Sequence, residues 1–391
     1  MEAVVLEKAA NVKRSAAGVQ RPTAGTIVRH LYIHIPFCAR ICPYCAFYKE
    51  RADPVRTQAF CKAILRELET LSARFDLRTE TIFFGGGTPT ALSTSQLSYI
   101  LHGFREQLDL SGLQEWTIEA NPGSVSPRKA ALLRKLGVTR LSLGVQSWDD
   151  GLLKVLGREH NAAQAEESFR ILRAAGHTNV SIDLMFGLPG QSLAQWQATL
   201  EHTVALAPEH ISAYCLTYEE DTDFFLRHQR GEYRQDNSSD ATFFETTMRV
   251  LEAAGYQQYE ISNYARPGFE SVHNRGYWAG DDYLGIGPSA FSTIGLERRQ
   301  NVADYRAYTD RVLAGESPIA STEPLTPEMK RSEQIALMLR TRSGVPAAWL
   351  EEAPAERAEF IELGLLAARD DRFVLTEKGK LLADSVAEAF V

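Results

Sequence analysis

From about residue 31 the chain alternates short apolar runs with longer stretches in which apolar residues recur every three or four positions. The short runs, bounded by turn residues, predict strands over Leu31–Pro36, Thr81–Gly85, Trp116–Ala120, Arg140–Val145, Asn179–Phe186 and His210–Leu216. The amphipathic stretches between them predict helices over about 55–74, 95–107, 127–136, 162–175 and 192–206. Alternation of this kind implies right-handed βαβ units on a parallel sheet, and six such strands suit an open or partial barrel. A helix near 237–254 and a strand at Tyr256–Ile261 are expected next. The segment 266–300, dense in aromatics and glycine from His273 to Ser292, reads as a structured linker or lid. Beyond it, residues 301–391 read as mainly helical, with a strand at Arg372–Thr376 before a helix over Lys378–Phe390; this predicts a small winged-helix-like domain. The expected fold class is therefore α/β: a partial (β/α)6 barrel over 29–265 with a smaller, mainly helical C-terminal domain. Residues 1–28 show no periodicity and no apolar core of signal-peptide length, and are expected to form a flexible arm.

The polar residues gather at the C-terminal ends of the predicted strands. These ends carry Cys38–Cys45, Gly85-Gly-Gly-Thr-Pro-Thr90, Glu119-Ala-Asn-Pro122, Gln146-Ser147 and Gly187-Leu-Pro-Gly190. Ligand sites of α/β barrels form at that face. Composition then narrows the class. With 44% hydrophobic and 24% charged residues the chain is an ordinary globular sequence, and its net charge of −8 argues against a nucleic-acid partner. No apolar run is long enough to span a membrane. Five cysteines, three of them within eight residues, argue for a metal site in a reducing cytoplasm rather than a disulfide framework.

Cys38, Cys42 and Cys45 supply three thiolates on one short loop, with Phe37, Tyr44 and Phe47 as apolar shielding. A closed structural zinc or a fully ligated cluster takes four protein ligands. Three thiolates on a four-iron cluster leave one iron open. A zinc site completed by His34, or three unpaired thiols, are the plainer alternatives. Elsewhere Asp183 interrupts an apolar strand, where an acid is costly unless paired. Cys61 and Cys215 lie among apolar residues and read as core packing.

The Cys-x3-Cys-x2-Cys spacing at the end of a first barrel strand resembles the radical S-adenosylmethionine (SAM) superfamily. The surrounding His34-Ile-Pro-Phe-Cys38 and Cys42-Pro-Tyr-Cys45 resemble its coproporphyrinogen III dehydrogenase-like group. That resemblance implies a [4Fe-4S] cluster on the three cysteines, with SAM on the open iron. It also implies SAM contacts at Tyr32, Tyr44, Gly86, Gly87, Thr88, Glu119, Gln146, Arg158 and Asp183. Read one at a time these residues have ordinary explanations: a tight turn for the glycine run, a surface or capping acid for Glu119, a solvated helix-end arginine for Arg158.

Within the group, two branches compete. The dehydrogenase branch carries a fourth cysteine two residues after the third, where this chain has Phe47. His273-Asn-Arg-Gly-Tyr-Trp278 is similar to the segment that marks the heme chaperone branch. The resemblance implies heme near His273, Tyr277 and Trp278; an imidazole can ligate iron and the aromatic faces can cover a porphyrin. A hydrogen-bonded structural histidine in a packed aromatic turn is the alternative for His273. The implied partners are heme, heme-requiring apoproteins that include membrane-associated ones, and a reduced flavodoxin- or ferredoxin-type donor if redox chemistry operates. The branch also admits homodimers. Two enzymatic readings stand beside it: oxygen-independent oxidation of coproporphyrinogen III, and a methyltransferase or cyclopropane-forming enzyme of the same subgroup.

Overall fold

The computed structural model describes residues 25–233 and 236–391. The arm expected at 1–28 falls, as far as residue 24, outside the described residues. Six parallel strands form the centre: β1 (Ile27–Ile35), β2 (Asp76–Gly86), β3 (Glu115–Ala120), β4 (Arg140–Gln146), β5 (Val180–Phe186) and β6 (His210–Cys215). Each coincides with a predicted strand, and β2 runs several residues further back than its apolar run. The crossovers carry α1 (Pro54–Arg74), α2 (Thr94–Gln107), α3 (Pro127–Lys135), α4 (Asp150–Val155), α5 (Ala162–Ala174) and α6 (Leu193–Leu206).

Local chemistry explains where these helices begin. Ser93, Asn161 and Ser192 each accept from the backbone amide three residues on, while Gln96, Gln164 and Gln195 reach back to the cap's own amide. These reciprocal bonds satisfy amides that the first turn leaves unpaired. Toward the helices the strands are apolar, while their alternate positions carry buried polar side chains such as His30, Thr81, Ser142, Ser181 and His210. Phe84, Phe104 and Trp116 are fully buried where α2 lies against β2 and β3. Cys61 packs in this core as expected. Cys215 does not; it is exposed at the end of β6, where the strand leaves the core.

After β6 come α7 (Asp223–Gln229), α8 (Asn237–Ala253), β7 (Gln257–Glu260) and β8 (Asn263–Ala265), the last two antiparallel. The 266–300 segment differs from the expected linker or lid. It supplies α9 (Val272–Trp278), β9 (Tyr283–Ile286), β10 (Phe291–Ile294) and β11 (Glu297–Asn301). β9 pairs parallel to β1, so the segment extends the sheet on its other edge. With β12 (Ile319–Pro324) the sheet has twelve strands, in the order β12-β11-β10-β9-β1-β2-β3-β4-β5-β6-β8-β7. The aromatics of the segment hid this, because its strands are short and lack clean alternation. α10 (Tyr305–Leu313) also belongs to the large core, through buried Tyr305, Tyr308 and Val312.

A second, smaller core begins at α11 (Pro327–Leu339). It packs α12 (Pro354–Glu362), α13 (Glu377–Lys380) and α14 (Ala383–Glu388) with a small sheet of β13 (Val345–Pro346), β14 (Leu366–Arg369) and β15 (Arg372–Leu375). This is the helical, winged arrangement expected at the C-terminus, with the final helix broken in two at Leu381–Leu382. Among the described residues no helix is long and apolar enough to cross a membrane.

Candidate functional site

The end of β1 delivers the cysteine loop, and the end of β2 supports it from below. Gly87 donates its amide to the Ile35 carbonyl at 2.9 Å, and Thr88 donates to Phe37 at 2.8 Å. The glycine run therefore spends these amides on the loop rather than on a ligand. Its lack of side chains has a separate cause. Gly86 has φ +101°, and a Cβ there would meet the His34 ring at 2.5 Å; at Gly87 it would meet the Pro36 backbone at 2.7 Å. Only glycine lets the strand end lie this close beneath the thiols.

A cavity of about 620 Å³ opens above. Cys38, Cys42 and Cys45 line it, as do Tyr44, Gly86, Gly87, Thr88, Glu119, Gln146, Arg158 and Asp183. Of the expected SAM contacts only Tyr32 stands aside. Its hydroxyl bonds His34 Nδ1 at 3.1 Å and its ring stacks on Phe83, which does line the cavity.

Charge and hydrogen bonding are organised around Arg158. Its Nη2 donates to the Asn121 side chain at 2.5 Å and to the Gly144 carbonyl at 2.7 Å, while Nη1 points at Cys42 Sγ at 3.6 Å. Asn121 in turn donates to Thr88 Oγ1 at 3.1 Å, and that hydroxyl lies 3.6 Å from Cys38 Sγ. A bonded chain thus runs from one cysteine to another through Arg158, Asn121 and Thr88. Asn121 was not singled out from sequence, although it stands two residues after Glu119 in a motif that was. Gln146 holds a left-handed backbone at φ +70°, an unusual conformation for a residue with a Cβ and one that strand ends at ligand sites often hold. Burial raises the thiols of Cys38 and Cys45; Thr88 and Arg158 pull Cys38 back, and Lys49 pulls Cys45 back.

Two acids face the same space. Asp183 accepts from Ser142 at 2.9 Å and from Ser181 at 2.9 Å, which answers how an acid sits in this strand. Glu119 is pushed up to about 8 by burial and by repulsion from Asp183, against the opposing pull of the Gly86 amide and Arg140.

The residues fit an iron–sulfur cluster with SAM better than the plainer alternatives. His34 cannot complete a zinc site: Nε2 is bonded to the Tyr48 carbonyl at 2.9 Å and Nδ1 to Tyr32. Among the described residues no three His, Cys, Asp or Glu side chains close on one point as a single ion requires. A four-iron cluster asks something else, one thiolate at each of three separate irons. The cationic Arg158 beside the thiols suits the negative charge such a group carries.

Comparison with known proteins decides the kinship. The profile of the Radical SAM superfamily matches residues 32–203. The heme chaperone HemW of Bacillus subtilis is 36% identical over 93% of this chain and 99% of its own. HemW of Escherichia coli is 34% identical over 92% of this chain and 97% of its own. The chain belongs to the HemW branch of the radical SAM superfamily. Its fold also matches the solved Escherichia coli coproporphyrinogen III oxidase HemN, with TM-score 0.81 at 23% identity over 95% of this chain and 91% of that one.

In this HemW-branch chain Phe47, two residues beyond Cys45, lines the cavity and is 67% exposed. The His273 segment lies at the opposite end of the barrel. Glu115, the first residue of β3, accepts from Ser271 Oγ and from the amides of Val272 and His273 at 3.0–3.2 Å, and so anchors α9 across the N-terminal ends of the strands. His273 Nδ1 shares a 2.8 Å hydrogen bond with Thr81, and its ring stacks on Phe83 with centroids 5.0 Å apart. Burial, with His30 and Arg140 nearby, pushes His273 down to about 3, so it is neutral. Tyr277 is 49% exposed and meets Trp278 and Tyr283 edge-on. The structure therefore does not bring His273, Tyr277 and Trp278 to one common face; the histidine points into the barrel and the aromatics lie outside it.

Proposed function

We propose that this chain is a cytoplasmic heme chaperone. It carries a [4Fe-4S] cluster on Cys38, Cys42 and Cys45, SAM in the cavity beside them, and heme at the α9 segment, and it delivers heme to heme-requiring apoproteins. When bound, the cluster supplies an open iron for SAM and an electron for its reductive cleavage. The chain's own residues bind and orient. Arg158 balances the negative charge of the thiolates and fixes Asn121. Glu119 and Asp183 offer acceptors to the cationic and hydroxyl groups of SAM, with Gln146, Thr88, Tyr44 and Tyr32 around them. Gly86 and Gly87 keep the strand end tight beneath the loop. His273, buried against Phe83 and bonded to Thr81, supports α9 from within the barrel and leaves the outer aromatics Tyr277 and Trp278 to meet the heme.

Phe47 carries the choice of chaperone over oxidase. Where the resembled dehydrogenases have a cysteine at the cavity mouth, this chain exposes an apolar ring with no hydrogen to donate and no redox chemistry. The near-complete overlap with proteins named heme chaperones supports the same reading. Heme titration of the reconstituted protein, beside an anaerobic assay with coproporphyrinogen III, tests it. Saturable heme binding without protoporphyrinogen is expected. Rapid protoporphyrinogen formation sinks the chaperone reading, and methylation of a small molecule without heme binding moves it to a methyltransferase. A reduced flavodoxin- or ferredoxin-type protein is the donor expected to support any SAM cleavage, and light scattering tests the homodimer.

A further inference from the structure

The cavity beside the cysteine loop does not end at Glu119 and Asp183. Its lining continues past them to Phe83, Arg140, Ser212 and Asn274. Asn274 belongs to α9, which is anchored across the N-terminal ends of the strands, so the cavity runs down the barrel from the thiols to its far end. Arg140, the first residue of β4, is only 1% exposed, yet among the described residues it makes no hydrogen bond and no ion pair. Its Nε is buried without a partner. A guanidinium taken out of water is costly unless an anion and hydrogen-bond acceptors take the place of that water.

The surrounding acids do not supply the anion. Asp183 accepts from the hydroxyls of Ser142 and Ser181 at 2.9–3.0 Å. Glu115 holds Ser271 and the first amides of α9, and Glu260 accepts from the Ser262 amide and from Asn263. Glu119, raised to about 8 by burial and then by Asp183, keeps its proton at neutral pH. The positive charge acts instead on neutral neighbours. Burial and then Arg140 push His210 down, and burial, His30 and then Arg140 push His273 down. On the cavity floor the Asn274 side chain makes no hydrogen bond among the described residues; its backbone amide alone is bonded, to Ser271 Oγ at 3.3 Å. A guanidinium presents parallel N–H groups that match the two oxygens of a carboxylate, and a carboxamide adds a further donor. Phe83 and Met185 give the same cavity apolar wall for a short carbon skeleton.

We propose that the floor of the barrel is a subsite for a small organic carboxylate, held by the Arg140 guanidinium and the Asn274 carboxamide. Its carbon skeleton extends along the barrel toward Glu119 and the thiol loop, the end assigned to SAM. The chain thereby takes a ligand other than heme, at a place that heme does not use. The test is thermal unfolding of the full, unloaded chain in potassium succinate or acetate, set against potassium chloride of equal ionic strength and against acetamide. A ligand that binds only the folded chain raises Tm in a saturable way. Succinate or acetate should do so, and chloride and acetamide should not. Arg140→Met should remove the response. Asn274→Ala, which deletes a side chain that bonds nothing in the fold, should leave the Tm in chloride unchanged and raise the half-saturating concentration several-fold. Equal shifts in carboxylate and chloride overturn the subsite, and so does a full response in Arg140→Met. A response to inorganic phosphate in place of the carboxylates overturns the ligand class. If Arg140→Met does not fold, Asn274→Ala decides, and an unchanged half-saturating concentration there overturns the subsite. Neither cluster nor heme enters the measurement, so the heme-chaperone reading stands or falls separately.

Discussion

The two ends of the barrel are built by the same six strands and are chemically opposite. At the C-terminal end the strands finish in thiols, acids and an arginine that face a cavity, and their partners leave valence to spare. Arg158 reaches two oxygens and a sulfur, while Glu119 and Asp183 repel each other across the space. At the N-terminal end most of the polar groups named above bond one another, although Arg140, the first residue of β4, keeps a buried Nε without a partner. His30, Thr81 and His273 share one hydroxyl, Glu115 holds the start of α9, and His210 lies between Ser181 and Tyr259 at 2.8 Å from each. Polar residues satisfied internally stabilise, and polar residues left facing a cavity bind. Substitutions at the two ends should accordingly separate ligand loading from stability.

The largest effect is expected at the open end. Replacing Cys38, Cys42 or Cys45 with serine should abolish cluster loading, measured as iron content and visible absorbance after reconstitution, with little change in the thermal unfolding of the unloaded protein. A variant that keeps the full cluster removes the distinction. Next comes pH. Glu119 is raised to about 8 and Glu260, on a cleft at the closed end, to about 7, both first by burial. The native chain holds these protons where the unfolded chain has released them. Their contribution to stability should therefore be lost as pH rises from about 4.5 toward 8, against the opposite trend of buried neutral histidines such as His273, whose contribution grows as pH rises toward 6.5. Glu119→Gln should flatten that slope by at most ~1.4 kcal/mol per pH unit, seen in denaturant melts across the range. A steeper slope in the variant would reverse the sign assigned to Glu119.

At the closed end, Thr81→Val strands both imidazoles and should cost about 1–3 kcal/mol in urea unfolding while leaving the cluster loaded. Loss of the cluster in Thr81→Val would show that the ends are coupled through Phe83 and the cavity floor. The smallest effect belongs to Asn121→Ala. It removes the link from Arg158 to Thr88 and should weaken SAM binding several-fold, read by equilibrium dialysis, with stability changed by only ~1 kcal/mol.

Much of this was legible in the chain. Six strands at short apolar runs, the helices between them and the cysteine loop follow from patterns confined to a few neighbouring residues. The position of the glycine run at the end of β2 was legible, but only the fold shows that the amides of Gly87 and Thr88 bond the carbonyls of Ile35 and Phe37. Asn121 escaped notice because its importance lies in contacts with Arg158 and Thr88, each more than thirty positions away. His30 carried no signal, being one histidine in an apolar strand. Its partners Thr81, His273 and Asp281 come from three later parts of the chain.

The sequence by itself determined what is local: the period of each element, the caps that start the helices, and the spacing that puts three thiols on one loop beside Phe47. The tertiary structure decided what depends on which strands pair. Pairing of β9 with β1 turned an apparent linker into part of the sheet and set α9 across the strand starts. That pairing sent His273 inward to Thr81 and Phe83, and left Trp278, Arg275 and His30 lining a cleft that no single stretch of sequence contains. The physical reason is that burial and hydrogen-bond partnership belong to pairs of residues brought together by the fold, and a pattern read along one chain reports only one member of each pair.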